Sequence, residues 1–516
     1  YQLRHYEGSH LLLSVCGQKL IQQTLTNLLS ILTFIAMKNF KHYLFGALTM
    51  SAALAFTACT SENEVGEPQE NVKGFYLQMS LIGETPTRTE LEQPQLDATV
   101  AESNVTTGTL FLFQGPALKF QKKITANDWM GDNPSQGVTG TTNVIAVSVS
   151  NVDPNTEYSV YFLANDNQAG LDVAGNPLGF IYNAERKFAG TMADADAFVM
   201  FNQNDPSCKA DQYKVEFTEA NKSVDNPAKI KGDKAIKIER LVARVDKPKV
   251  TPTTITAPET DATPDQQDAQ TKVESIALEG YALSNLPMKT NVMQQWGDNG
   301  EFLMPTPTTY FNAYNEFGTK TKLGDVPFDN AAVNYVFENR GAINEHEYTA
   351  MYMKYKVTLN SDVDGGTADF TDGTFYRYDH KIYTSLESIQ NSIGGTNPFG
   401  EGKTVEVLLA ELHKNDAGGC DATEEQLSEF RANYQIEVFH QGFCYYNVPV
   451  EAQNQKFTGY YTTLRNTIYQ INVKNIFNVG SDVPNGDPDD KKPNYYMQVQ
   501  VEVNPWVLKS YDIDLK

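Results

Sequence analysis

The chain has 516 residues, which is enough for two or three domains of ordinary size. Hydrophobic residues make up 41% of it, so a sizeable core is expected and a disordered chain is excluded. The formal net charge of −23 at pH 7 opposes binding to nucleic acid or to an anionic membrane surface.

Residues 37–58 have the order of an export signal peptide. Met37 is followed by a short basic stretch, by the apolar run YLFGALTMSAALAF and then by small residues and Cys59. Small residues directly before a cysteine resemble a lipobox, so Cys59 is predicted to carry lipid; ordinary cleavage beside a chance cysteine is the alternative. Residues 1–36 are interpreted as translated sequence upstream of a start at Met37.

The next elements are predicted to be strands. Residues 75–82 (FYLQMSLI) alternate, and the apolar side chains of Phe75, Leu77, Met79 and Leu81 share one face. A polar loop that contains Arg88 follows. Further strands are predicted over residues 109–114, 144–152, 157–163, 198–201 and 234–245. Residues 246–272 are rich in Thr, Pro and Asp, which predicts a linker or long loop.

A second series of strands follows from Val273 onward. Its members are predicted over residues 276–283, 349–359, 373–378, 405–409, 434–439, 443–448 and 468–473. One helix is predicted over residues 423–433, with Thr423 and Gln426 in capping-box positions. Residues 479–492 are predicted to be a polar linker. Short strands separated by turn residues favour an all-β protein built from β-sandwiches.

The sequence offers no catalytic, metal or cofactor motif. It has no P-loop, no H-E-x-x-H and no G-x-S-x-G pattern. The acidic residues Asp362, Asp364, Asp369 and Asp372 lack the order of an EF-hand loop and are interpreted as turn residues. We therefore predict a protein that is not an enzyme; a glycosidase carboxylate pair has no spacing that singles it out. A Cys420–Cys444 disulfide and two free buried thiols both fit the sequence.

The C-terminal segment alternates again over residues 495–515 (YYMQVQVEVNPWVLKSYDIDL). Its apolar residues form two groups, separated by Pro505: Met497, Val499, Val501 and Val503, then Trp506, Val507, Tyr511, Ile513 and Leu515. Such a segment either closes its own sandwich or pairs with an open sheet edge on another molecule.

Several stretches resemble the fimbrillins, the structural subunits of type V pili, and most of all those of the short fimbria. They are the lipobox at Cys59, YSVYFLAND, KIERLVARV, DGTFYRY, YTTLRNTIYQINV and the terminal VEVNPWVLKSYDIDL. The resemblance implies two transthyretin-like β-sandwich domains, a removable N-terminal strand and a C-terminal donor strand. The division that follows is a signal peptide over 37–58, a propeptide with the first strand over 59–88, domains over 89–240 and 241–480, and a linker with the C-terminal donor strands over 481–516.

The resemblance also implies an assembly route. A lipid-anchored precursor at the outer membrane would be cut after Arg88 by a trypsin-like protease, so that the mature chain begins at Thr89. Loss of the first strand would open a hydrophobic groove, and the C-terminal strands of a neighbouring copy would fill it. The implied partners are further copies of the chain, tip and anchor fimbrial proteins, and receptors on host or bacterial surfaces. The rival interpretation is a surface glycan-binding lipoprotein that keeps Cys59 and stays monomeric.

Overall fold

The computed structural model describes residues 74–83, 102, 105–125, 128–130, 142–167, 170–183, 198–206, 208–249, 251–314, 328–394, 397–451, 458–484, 499–500, 502–503 and 507–515. All of them belong to the compact unit Lys73–Lys516. Among the helices within these ranges, none is long and apolar enough to cross a bilayer.

Strands dominate these residues, and the predicted all-β class is confirmed. In chain order they are β1 (Phe75–Gly83), β2 (Gly108–Gln114), β3 (Ala117–Ile124), β4 (Trp129–Met130), β5 (Thr142–Val149), β6 (Glu157–Ala164), β7 (Leu171–Asp172), β8 (Ile181–Asn183), β9 (Met200–Asn202), β10 (Lys214–Glu216), β11 (Ala228–Lys229), β12 (Ile236–Arg240), β13 (Val242–Asp246), β14 (Val273–Ser284), β15 (Leu286–Pro287), β16 (Lys289–Asn291), β17 (Tyr310–Phe311), β18 (Val333–Phe337), β19 (Asn339–Ala342), β20 (Ala350–Leu359), β21 (Phe375–Tyr378), β22 (Lys381–Tyr383), β23 (Glu437–Phe439), β24 (Phe443–Pro449), β25 (Tyr460–Thr463), β26 (Thr467–Ile476), β27 (Val499–Gln500), β28 (Glu502–Val503) and β29 (Val507–Leu515).

Four α-helices lie in the second half of the described chain. They are α1 (Pro264–Lys272), α2 (Leu386–Ser392), α3 (Val405–Glu411) and α4 (Glu424–Tyr434). Short 3-10 turns occur at Pro177–Gly179, Ala210–Gln212, Glu219–Lys222 and His440–Gly442.

The largest sheet of the described residues places β1 in its interior. Its strand order is β3-β2-β6-β9-β12-β1-β5-β4, with β10 beside β6 and β11 beside β1. Strand β2 is buried on both faces of this sheet, since six of its seven residues are buried. Strands buried on both faces read as continuous apolar runs rather than as alternation.

A second sheet contains the C-terminal strand. Its strand order is β18-β13-β26-β27-β29-β28, and β26 also pairs directly with β29. Strands β14, β20 and β24 form a third sheet. One hydrophobic core cluster extends from Phe75 to Val479 and includes residues of all three sheets.

The single long strand predicted over residues 234–245 is wrong. The structure divides it into β12 and β13, which belong to different sheets, with Leu241 at the junction. Leu241 is fully buried, and its amide donates a hydrogen bond to the carbonyl of Val199. Because residues 238–243 are buried on both faces, their side chains cannot follow one inside–outside alternation, and the chain passes from one sheet to the other.

Residues 405–409 (VEVLL) were predicted to be a strand, and this is also wrong because they form most of helix α3. The Thr404 side chain caps the helix by accepting a hydrogen bond from the Val407 amide. Leu408 and Leu412 are fully buried one helical turn apart, whereas Val407 is exposed. The two β-branched valines suggested a strand, but the spacing of the buried leucines is helical.

The loop predicted over residues 246–272 ends in a helix. Helix α1 begins after Thr263, whose capping box with Gln266 and whose following Pro264 are both start signals for a helix. It docks on β22, because the Asp268 carboxylate accepts from the Ile382 amide at 2.8 Å. The last third of this segment is therefore packed structure rather than a linker.

Two further boundaries differ from the prediction. Tyr434 ends helix α4, and the strand predicted over residues 434–439 begins only at Glu437. The linker predicted from residue 479 begins inside the core: Val479 is fully buried, and the Asp482 carboxylate accepts from the Val438 amide at 3.1 Å. The small and polar residues at 479–482 suggested a linker, but their backbone and side chains bind to neighbouring strands.

The helix predicted over residues 423–433 is confirmed as α4, and its cap allows a direct test. The Thr423 hydroxyl accepts from the Gln426 amide at 3.3 Å, and the Gln426 side chain accepts from the Thr423 amide at 2.8 Å. Thr423→Ala should lower the free energy of unfolding by about 1 kcal/mol, because one of these bonds is lost. Thr423→Ser keeps the hydroxyl and is the control. Urea denaturation followed by circular dichroism measures both, and an equal loss in the two variants would contradict the capping role.

Candidate functional site

Strand β1 buries one complete apolar face. Its inward row has exposed fractions of 5% for Phe75, 0% for Leu77, 2% for Met79 and 1% for Leu81. Tyr76 and Gln78 on the other face are partly exposed. The strand and the facing of its side chains therefore agree with the alternation in the sequence.

Both edges of β1 are paired. On one side it runs antiparallel to β5 over eight residue pairs, from Phe75 opposite Val149 to Ile82 opposite Thr142. On the other side it runs parallel to β11 and then to β12. The inward row of β1 therefore lies between buried apolar residues of its neighbours: Ile145, Val147, Val149, Ala228 and Ile236.

Phe75 occupies an aromatic pocket at the start of β1. Its ring centroid lies 5.4 Å from that of Phe217, which in turn lies 6.0 Å from Tyr158. The ammonium of Lys222 lies 5.4 Å from the centre of the Phe75 ring, a cation–π distance. This position favours an aromatic side chain over an aliphatic one.

The chain beyond the predicted cleavage loop is fastened to the body by Glu102. The Glu102 carboxylate is buried and accepts from Arg244 at 3.0 Å and from the Tyr335 hydroxyl at 2.8 Å. The Glu102 carbonyl accepts from Arg240 Nε at 2.5 Å. Each of these partners lies outside β1. The contacts that hold Glu102 in place therefore do not depend on β1.

The pKa shifts in this cluster favour the charged form of Arg244 and the neutral form of Tyr335. Burial lowers the pKa of the Arg244 guanidinium, but its hydrogen bond to Asp246 and the carboxylates of Asp246 and Glu102 outweigh burial, so the net pKa is raised. Burial and the adjacent Glu102 carboxylate raise the pKa of Tyr335. Arg244 is thus charged and Tyr335 is a neutral donor, as the hydrogen bonds to Glu102 require.

The C-terminal strand lies beside β26. Strand β29 runs parallel to β26 over nine residue pairs, from Val507 beside Thr467 to Leu515 beside Ile476. Among the described residues before β29, β27 shares two residue pairs with β26, and β28 shares two with β29. Strand β29 is therefore paired with its own subunit along its whole length.

A buried arginine fixes the start of β26. Arg465 donates to both carboxylate oxygens of Glu338, at 2.9 and 2.5 Å, and to the carbonyls of Asn291 and Val292. Removing one partner of such a buried ion pair would leave an uncompensated charge, which is strongly destabilising. The ion pair therefore ties β26, the strand that carries β29, to segments 127 or more residues away in sequence.

The described cysteines are buried, and the acidic cluster binds backbone groups. Cys208, Cys420 and Cys444 are buried thiols, and burial raises the pKa of the Cys420 thiol to about 11. Asp369 and Asp372 accept hydrogen bonds from the backbone amides of Leu386 and Cys420. Asp364 binds both the amide and the hydroxyl of Thr384. Within the described ranges no group of three His, Cys, Asp or Glu side chains is arranged to hold a metal ion.

The predicted site residues divide into three groups. Phe75, Leu77, Met79 and Leu81 lie together on the buried face of β1. Val499 lies in β27, Val503 in β28, and Val507, Tyr511, Ile513 and Leu515 in β29. Cys59, Arg88, Thr89, Met497, Val501 and Trp506 lie outside the described residues.

Sequence reasoning missed the buried ion pairs. Glu102, Arg244, Glu338 and Arg465 have partners far away in the chain, so no local pattern indicates them. One local signal was present: Glu239 and Arg240 are adjacent in a strand, so their side chains cannot both point to solvent. Both are in fact buried.

Residues 437–512 match a protein-family model described as "Major fimbrial subunit protein type IV, Fimbrillin, C-terminal". This stretch runs from the start of β23 into β29 and contains the predicted donor residues up to Tyr511. The match confirms the resemblance to the fimbrillins and supports a fimbrial subunit. A search of curated proteins finds no match.

Solved structures of proteins from two bacteria are similar to the chain at low sequence identity. A fimbrilin from Porphyromonas gingivalis W83 is 14% identical, with 84% of this chain and 99% of that chain covered and a TM-score of 0.40. A candidate cell adhesion protein from Parabacteroides distasonis ATCC 8503 is 12% identical, with 84% and 97% covered and a TM-score of 0.40. TM-scores of this size establish neither a shared fold nor a function.

The inward row of β1 predicts a large effect of a single truncation. Leu77→Ala should lower the free energy of unfolding of the uncut chain by about 2–5 kcal/mol, because it leaves a cavity at a fully buried position. Gln78→Ala, on the partly exposed face of the same strand, should change it by less than about 0.5 kcal/mol. Urea denaturation compares the two, and a similar small effect in both would contradict the packing of β1 described above.

Proposed function

We propose that this protein is the shaft subunit of a pilus and polymerises by protease-triggered donor-strand exchange. The observation that carries the proposal is the position of β1, an interior strand that lies first in the described chain and precedes the Arg88 loop. A strand in this position keeps the sheet continuous. One cut in the loop that follows would separate the strand from the rest of the chain.

Loss of β1 would create a site that needs a replacement strand. The facing edges of β5 and β12 would lose their backbone hydrogen bonds, and unpaired buried amides and carbonyls are costly. The buried residues around the inward row would also become exposed. Grooves with these two properties bind extended peptides, whose backbone pairs with the edges and whose alternate side chains fill the pockets.

The rest of the subunit has support that does not depend on β1. Glu102 is held by Arg240, Arg244 and Tyr335, and the Thr106 amide donates to the Asn165 side chain at 2.9 Å. A cut after Arg88 would therefore leave the chain from Glu102 onward in place. The chain passes between sheets at Leu241, which supports the proposed boundary between domains 89–240 and 241–480.

The C-terminal segment of a neighbouring copy is the proposed donor, and the fimbrillin match extends through most of it. In the precursor, lipid on Cys59 would anchor the chain to the outer membrane, and the anchor would leave with the propeptide. As a shaft subunit the protein would assemble with tip and anchor fimbrial proteins. The fibre would support adhesion to host or bacterial surfaces and biofilm formation. The glycan-binding alternative has little support, because Tyr460, at 37%, is the one strongly exposed residue among the Phe, Trp and Tyr side chains whose burial the structure describes.

Substitution of Arg88 tests the proposal in cells. Arg88→Ala should leave lipid-linked precursor in the outer membrane and no fibres, because a trypsin-like protease needs a basic side chain at the cut. Arg88→Lys retains that charge, and Arg186→Ala, the next arginine along the chain, is the matched control. Both should give fibres whose subunits begin at Thr89. Electron microscopy and N-terminal sequencing read the outcome, and normal fibres from Arg88→Ala or subunits beginning at Cys59 would contradict the proposal.

A further inference from the structure

Residues 495–503 repeat the residue pattern of β1 position by position. Strand β1 reads FYLQMSLIG and residues 495–503 read YYMQVQVEV. At the four inward positions of β1 the second stretch has Tyr495, Met497, Val499 and Val501. At two of the outward positions the residues are identical, since Tyr496 and Gln498 correspond to Tyr76 and Gln78.

We propose that residues 495–503 of a second copy fill the β1 position in this register, and that residues 507–515 do not. The inference rests on the proposed function, since the position becomes vacant only after β1 is lost. It assigns one segment and one register to the connection between subunits.

The inward residues of the donor match the pockets of β1 in size and character. Tyr495 takes the place of Phe75 beside Phe217 and Lys222, where an aromatic ring gains a cation–π contact. Met497, Val499 and Val501 follow in the places of Leu77, Met79 and Leu81. These three places are at most 2% exposed, so they require apolar side chains.

The outward residues of the donor match the other face of the sheet. Ile82 is paired with Lys237 on β12, and the donor places Glu502 at that position, which puts opposite charges side by side on neighbouring strands. Gln498 takes the place of Gln78, which is paired with Lys229 on β11. The amide of Gln498 thus preserves the polar neighbour that Lys229 has in the precursor.

The last strand fits the same position poorly. In the register that aligns Val507 with Phe75, Lys509 would replace Leu77, which is fully buried and paired with Val147 and Ala228. A buried ammonium without a partner is strongly unfavourable. If Tyr511 entered the Phe75 pocket instead, strand β29 would supply only Ile513 and Leu515 behind it. Strand β29 also has nine residue pairs with β26 that would have to break.

Matched substitutions in the full chain test the assignment. Val501→Asp places a carboxylate at the buried Leu81 position and should abolish polymers of chain processed at Arg88. Gln500→Asp, one residue away on the outward face, should leave polymer length unchanged. Polymers are measured as a ladder on gels run without heating, and processing is measured by N-terminal sequencing at Thr89.

Peptides added to the unaltered chain avoid any effect of substitution on folding. A peptide of residues 491–504 should shorten the polymers, because it occupies vacant β1 positions. Its Val501→Asp form should need at least a tenfold higher concentration, roughly the effect of 1.4 kcal/mol or more in binding free energy, whereas its Gln500→Asp form should act like the original. A peptide of residues 507–515 should have no effect.

The outcomes separate this inference from the proposed function. If the unaltered chain is processed at Arg88 but stays monomeric, strand exchange itself is wrong. If it polymerises and Val501→Asp polymerises equally well, the assignment of residues 495–503 is wrong. Inhibition by the 507–515 peptide that equals or exceeds that of the 491–504 peptide would also overturn the assignment.

Discussion

The structure depends on the pairing of β1 between β5 and β12. This strand shares hydrogen bonds with β5 on one side and with β11 and β12 on the other, and it adds four buried side chains to the main core. The largest sheet is therefore continuous only while β1 is present. An interior strand cannot leave without exposing two edges and an apolar trough. The same constraint that stabilises the precursor therefore makes the processed subunit dependent on a strand from elsewhere.

The buried ion pairs hold distant segments of the chain together independently of β1. Glu102 with Arg244 fixes the chain just beyond the predicted cleavage loop, and Arg465 with Glu338 fixes the start of β26. Such pairs add little net energy compared with apolar residues, but they are specific about which segments meet. Here they hold together segments that are more than a hundred residues apart, and none of these contacts includes a residue of β1.

The sequence was sufficient where local chemistry decides the structure. The alternation at Phe75, Leu77, Met79 and Leu81 predicted a buried strand face, and Thr423 with Gln426 predicted the start of helix α4.

The sequence was insufficient where contacts with distant segments determine the local structure. Residues 405–409 contain the β-branched residues of a strand, and only the burial of Leu408 and Leu412 shows a helix. The sheet change at Leu241 and the partners of Glu102 depend on contacts with distant segments that no local pattern encodes. The sequence alone also does not separate the roles of residues 495–503 and 507–515, because that distinction depends on the apolar residues paired with Leu77.

Amide hydrogen exchange of β5 and β12 tests the central claim most directly. Both strands share backbone hydrogen bonds with β1, so their amides report whether the position between them is filled. The account predicts slow exchange in the uncut chain, faster exchange once the chain is cut at Arg88 and β1 is removed, and slow exchange again in the assembled fibre. Exchange that stays equally slow in the cut monomer after removal of β1, or that stays fast in the fibre, would contradict the replacement of β1 by a strand from a neighbouring subunit.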